Sequence, residues 1–148
     1  MVKVFVGSDH GGVVLKDQLI LMLKTEFADS IVEDFGTYGS VAVDYPNIAA
    51  KVANAVAFHE GSFGIVVCGS GIGVSIAANK INGIRCALIH DHYTARMARE
   101  HNDANMIALG ERVTGSEVAK DCVRTFLQTE FQGGRHANRV SLIMGLEK

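Results

Sequence analysis

Five short apolar stretches rich in β-branched residues recur along the chain: Val2–Val6, Ile31–Phe35, Ile65–Cys68, Ile84–Ile89 and Asn105–Leu109. Their length and content predict strands. Between them, apolar positions at helical spacing predict helices over Val13–Phe27, Pro46–Phe58, Val74–Lys80, Tyr93–His101 and Ser116–Phe131. Asp44-Tyr45-Pro46 reads as a helix start, with the proline in the first turn where its missing N–H costs nothing. Gly133-Gly134 breaks the chain before a last helix over roughly Arg135–Leu146. Strands alternating with helices imply right-handed βαβ units and a parallel sheet covered on both faces. The pattern predicts one three-layer αβα, Rossmann-like domain over residues 1–148 with about five parallel strands, their order left open.

In such a sheet, ligands sit outside the carboxyl ends of the strands. The residues following the strands are Gly7-Ser8-Asp9-His10-Gly11-Gly12, the loop through Asp44 and Tyr45, the loop after Cys68, His90-Asp91-His92, and Gly110-Glu111-Arg112. An acid, a base, a thiol and a guanidinium are thus expected along one edge.

Composition narrows the setting. A 48% hydrophobic content with a single proline fits a folded globular chain of 148 residues. A net charge of −2 gives no nucleic-acid surface, and the apolar runs are too short to span a membrane. The cysteines number three, an odd count, and the N-terminus Met-Val-Lys-Val-Phe-Val-Gly has no signal-peptide core. These features read as a soluble protein of the reducing cytoplasm.

Chemistry concentrates in Gly64–Lys80. There an apolar run ends in Cys68, the alternating glycines Gly69, Gly71 and Gly73 follow, and an Ala-rich helix starts. The glycines let successive N–H groups turn into one cavity, an anion site with a thiol at its rim that should ionise readily. A dinucleotide fingerprint needs a glycine where Val74 stands, although Asp91 lies near the place of a ribose-binding acid. A Walker loop lacks its Gly-Lys-Ser/Thr. A cysteine phosphatase needs an arginine at position 74. Cys86 within a strand and Cys122 on an apolar helical face read as core residues.

The other polar candidates divide less cleanly. His90-Asp91-His92 has no further spaced ligands and reads as an exposed loop rather than a metal site. His59 reads as a helix C-cap. His101 and Asn102 suit a C-cap as well as catalysis, and Asp9 suits an N-cap before His10. Arg135 and Arg139 share one helix face, either as surface ion pairs or as a two-pronged phosphate clamp. Together a base, an N–H nest, acid–base groups and arginines suit proton abstraction beside the carbonyl of a phosphorylated substrate, a reaction that needs no cofactor.

At these residues the chain resembles the type B ribose-5-phosphate isomerases, a family that includes galactose- and allose-6-phosphate isomerases. The resemblance runs from Gly7-Ser8-Asp9-His10-Gly11-Gly12 with Lys16, through Asp34-Phe35-Gly36-Thr37 and Val43-Asp44-Tyr45-Pro46, to Cys68–Lys80. It continues over Arg99-Glu100-His101-Asn102-Asp103-Ala104-Asn105, Gly110-Glu111-Arg112-Val113 and Phe131–Val140. It implies that Cys68 moves a proton between two sugar carbons and that Ser70 moves one between their oxygens. The amides of Gly69, Gly71, Ile72, Gly73 and Val74 would hold the enediolate. His101, with Asp9 nearby, would open the furanose ring. Asp44, Tyr45 and Asn102 would bind sugar hydroxyls, and His10, Arg112, Arg135 and Arg139 the phosphate. Sequence physics alone points the phosphate at the glycine loop instead. The family's glutamate-base branch carries its base where Val74 stands, so the cysteine branch is implied.

The resemblance further implies ribose 5-phosphate/ribulose 5-phosphate interconversion in the pentose phosphate pathway, without metal or other cofactor. It also implies a homodimer or homotetramer with shared active sites, toward which the apolar C-terminal helix would extend. A hexose-6-phosphate isomerase on the same scaffold and a non-catalytic nucleotide-binding module are the rival readings.

Overall fold

The computed structural model describes residues 1–148. Strands β1 (Lys3–Ser8), β2 (Ile31–Asp34), β3 (Phe63–Cys68), β4 (Cys86–Leu88) and β5 (Met106–Gly110) form one parallel sheet in the order β2-β1-β3-β5-β4. The helices are α1 (Val13–Glu26), α2 (Tyr45–Phe58), α3 (Ile72–Ala78), α4 (His92–Glu100), α5 (Ser116–Gln128) and α6 (Arg135–Met144), with a 3-10 turn at His10–Gly12 before α1. Every expected strand and helix is present, and the differences lie at the ends. Strand β1 runs on to Ser8 because Gly7 and Ser8 stay paired with Val66 and Val67. Gly7 is needed there, since a Cβ would lie 2.8 Å from Val52 Cγ2 of α2.

Alternation along the strands builds two cores, as the two-residue period of a strand requires. Val4, Val6, Ile65, Val67, Ile107 and Leu109 face α1, α4 and α5. Phe5, Val66, Cys68, Met106 and Ala108 face α2 and α3. The central strands are therefore apolar on both faces, while the edge strand β2 is partly exposed. Because α1 and α2 lie on opposite faces, the chain reverses direction between β1 and β3. A crevice opens at the carboxyl ends of those two strands.

The α1 face is tied to β2 by a buried charge. Lys16 Nζ bonds Asp34 Oδ2 at 2.7 Å and Asp17 Oδ1 at 2.9 Å. Burial alone would lower the ammonium, but the two carboxylates, Asp34 foremost, outweigh it and hold Lys16 above its ordinary value. Asp34 also accepts from Gly36 N–H at 2.8 Å, which sets the course of the loop leading to Asp44. Helix α6 buries only His136 and leaves Leu142 exposed, as it does Leu146 just beyond its end. No helix is long and apolar enough to cross a membrane.

Candidate active site

Cys68 ends β3 almost fully buried, and its Sγ accepts the Gly71 N–H at 3.1 Å. Gly71 has φ +79°, a left-handed conformation that turns the chain back over the sulfur. Ser70 Oγ follows, accepting from Ile72 N–H at 3.2 Å. The first helical bond of α3 runs from Ser75 N–H to Gly71 O, so the N–H groups of Gly73 and Val74 have no acceptor within the helix. The cradle is packed by what the glycines lack. A Cβ on Gly110 would lie 2.5 Å from Ser70 C, and one on Gly73 2.5 Å from the Tyr45 ring. Tyr45, at the first turn of α2 beside Pro46, is thus laid directly on the loop.

The neighbouring groups expected at this edge are all present. Arg112 N–H donates to Gly69 O at 3.0 Å, and a Cβ on Gly69 would meet its guanidinium at 2.9 Å. Asp9 is buried, accepts from Gly11 N–H at 2.9 Å and caps the 3-10 turn. His10 Nδ1 accepts from Val43 N–H at 3.3 Å, which assigns the ring proton of neutral His10 to Nε2. Asp44 makes no capping bond, so its carboxylate stays available in solvent. Glu111, among the residues expected after the last strand but given no role there, accepts from Leu15 N–H at 2.8 Å and fixes the start of α1 against the end of β5.

The remaining candidates gather at the opposite edge. His101 closes α4 and Asn102 follows it, both before β5 begins. Helices in this layer run antiparallel to the strands, so a residue closing one lies at the amino edge of the sheet. Gln132 bonds Glu100 through N–H to O at 3.1 Å and Nε2 to Oε2 at 3.0 Å, which brings the start of α6 to the same place. There the rings of His101 and His136 stack with centroids 4.1 Å apart and planes 13° apart. Burial lowers the His136 pKa, helped by His101, Arg135 and Arg139. The same positive field favours an anion. The five residues of β5 separate His101 and Asn102 from Arg112, a span of roughly 16 Å at about 3.3 Å per residue. The candidate residues of one chain thus fall into two groups at opposite edges of the sheet. The direction of α4 relative to its flanking strands was the available sequence signal. The roles of His136 and Glu111 had none.

Cys86 and Cys122 lie in the two cores, where burial pushes their thiols up to about 12 and about 11. His59 Nδ1 bonds Ala55 O at 2.8 Å and caps α2. Asp91 forms a capping box with Thr94, whose hydrogen bonds hold its carboxyl below the ordinary value. That use of Asp91 removes the best support for a nucleotide-binding module.

Comparison with known proteins places the whole fold in a family. Residues 4–143 match the family model described as Ribose/Galactose Isomerase. The chain is 43% identical to ribose-5-phosphate isomerase B of Escherichia coli (strain K12), over all of this chain and 98% of that one. The structure of Clostridium thermocellum ribose-5-phosphate isomerase B is 54% identical with a TM-score of 0.94, covering 97% of this chain and 96% of that one. The Mycoplasma genitalium ribose-5-phosphate isomerase B with bound ribulose-5-phosphate is 36% identical with a TM-score of 0.90, covering 97% and 95%. The crevice with its buried thiol thus sits on a shared scaffold, and the chain belongs to the ribose/galactose isomerase family.

Proposed function

We propose that this chain is a cytoplasmic aldose–ketose isomerase that interconverts ribose 5-phosphate and ribulose 5-phosphate, with residues 1–148 acting as one domain. The observation that carries the reading is the buried Cys68 thiol under the Gly71 amide, with Ser70 beside it and Tyr45 and Arg112 against the same loop. Two copies of the chain complete each site. The Cys68 edge of one faces His101, Asn102, Arg135 and Arg139 of the other, a pairing supported by the strand-length separation of the two groups within one chain.

The reaction follows from the groups so assembled. The partner's His101 works with Asp9 on the furanose. The proton on O1 is removed, the bond from C1 to the ring oxygen breaks, and that oxygen takes a proton. Cys68, as thiolate, removes the C2 proton, and the electron pair becomes the C1–C2 double bond while charge develops on O1. The amides from Gly69 to Val74 stabilise that oxyanion without reorganising. Ser70 carries the proton from O2 to O1, and Cys68 returns its proton to C1, giving the ketose. Asp44, Tyr45 and Asn102 hold hydroxyls, and His10, Arg112 and the partner's Arg135 and Arg139 hold the phosphate. The chain supplies base, oxyanion donors and phosphate clamp itself, so this route calls for no cofactor.

The test compares turnover of ribose 5-phosphate, allose 6-phosphate and galactose 6-phosphate by wild-type protein and by Cys68→Ala. Pentose preference, with a loss of about a thousandfold or more in the variant, is expected. Hexose preference would overturn the substrate, and near-normal turnover by Cys68→Ala would overturn the base.

A further inference from the structure

The turn that carries His101 and Asn102 is held by one residue from several directions. Asp103 sits at φ +45°, a left-handed conformation rare outside glycine and tolerated by aspartate and asparagine. Its Oδ1 accepts from Arg99 Nη1 of α4 at 2.9 Å, and its Oδ2 lies 3.6 Å from Arg85 Nη2 just before β4. Its carbonyl accepts from Arg85 Nη2 at 2.7 Å and Nε at 3.1 Å, and that Nε also bonds Asn102 O at 3.1 Å. Its N–H donates to Arg99 O. Arg99 itself is fixed over the rings of Phe63 at 5.0 Å and Phe126 at 5.9 Å, and it donates to Ala104 O and Thr129 O. Two immobilised guanidiniums therefore dictate the backbone of Asp103, and through it the direction of the two side chains before it.

We infer that Asp103 is a positioning residue for ring opening: its clamp between Arg85 and Arg99 holds His101 and Asn102 where they meet the substrate. The inference rests on the proposed role of His101, and the test separates the two. Ring opening is needed to turn over furanose ribose 5-phosphate. It is not needed for exchange of the C1 protons of ribulose 5-phosphate with solvent deuterium, because that ketose, phosphorylated on O5, cannot close a furanose. Both rates are measured at saturating substrate for wild type, Asp103→Ala, Asp103→Asn and His101→Ala, the exchange by proton NMR.

Asp103→Ala is expected to lose about tenfold or more in ribose 5-phosphate turnover while exchange stays near the wild-type rate. Asp103→Asn keeps an acceptor for Arg99 and tolerates the left-handed backbone, so it should recover most of the turnover. A selective loss in His101→Ala that is missing from Asp103→Ala would overturn the clamp alone. Equal losses of both rates in Asp103→Ala would reduce Asp103 to a purely structural residue and overturn it as well. Absence of any selective loss in His101→Ala would overturn the role of His101 and the positioning role with it.

Discussion

What separates the three cysteines is the surroundings of each sulfur. Cys68 accepts the Gly71 N–H at the end of a strand, whereas Cys86 and Cys122 lie in the two cores, where burial raises their thiols. With values pushed up to about 12 and about 11, the two core thiols hold only a trace of thiolate near neutral pH. A Cys68→Ala variant treated with iodoacetamide near pH 8 should therefore take up no label while folded and label at both remaining cysteines once denatured, as peptide mass spectrometry would read. Labelling of the folded variant would contradict the burial. The alternating glycines mark the loop in the sequence, but the sulfur-to-amide bond depends on the left-handed turn at Gly71. The cradle is closed by Tyr45 and Gly110, residues far away along the chain, and no local pattern carries that contact.

At the scale of elements, a single ammonium links α1, β2 and the loop that aims Asp44 and Tyr45. Replacing Lys16 by Met leaves Asp34 without its counter-ion and should cost about 3 kcal/mol in denaturant unfolding. The pH dependence has a definite sign. Because the folded Lys16 value is raised above 10.5, its contribution is complete below that pH and is lost as pH climbs through the folded value. Wild type should lose this increment of stability in alkali, and Lys16→Met should not. The elements themselves were legible because each strand is an apolar run and each helix carries its own spacing and stops, such as Pro46 and Gly133-Gly134. Strand order was not legible, since Val66 and Ile107 would pack equally well in any interior strand. Nor was the buried Lys16, which as a letter among polar neighbours looks like solvated surface.

For the molecule as a whole, the proposed pairing of opposite edges sets the arithmetic of complementation. Cys68→Ala and His101→Ala homodimers would each lack one group in both sites. In a mixed dimer one site lacks both groups and the other is intact. Unfolding the two variants together and refolding them should restore about a quarter of wild-type isomerisation of ribose 5-phosphate, from half the dimers with one good site each. No gain over the separate variants would contradict the pairing of opposite edges. If opposite edges pair as proposed, the five residues of β5 that hold His101 away from Arg112 also set a law of mass action for the catalyst. On that pairing, a lone chain is well folded yet catalytically blank. Rate per milligram then follows the encounter of chains, falling on dilution below the dissociation constant while every chain keeps its native structure.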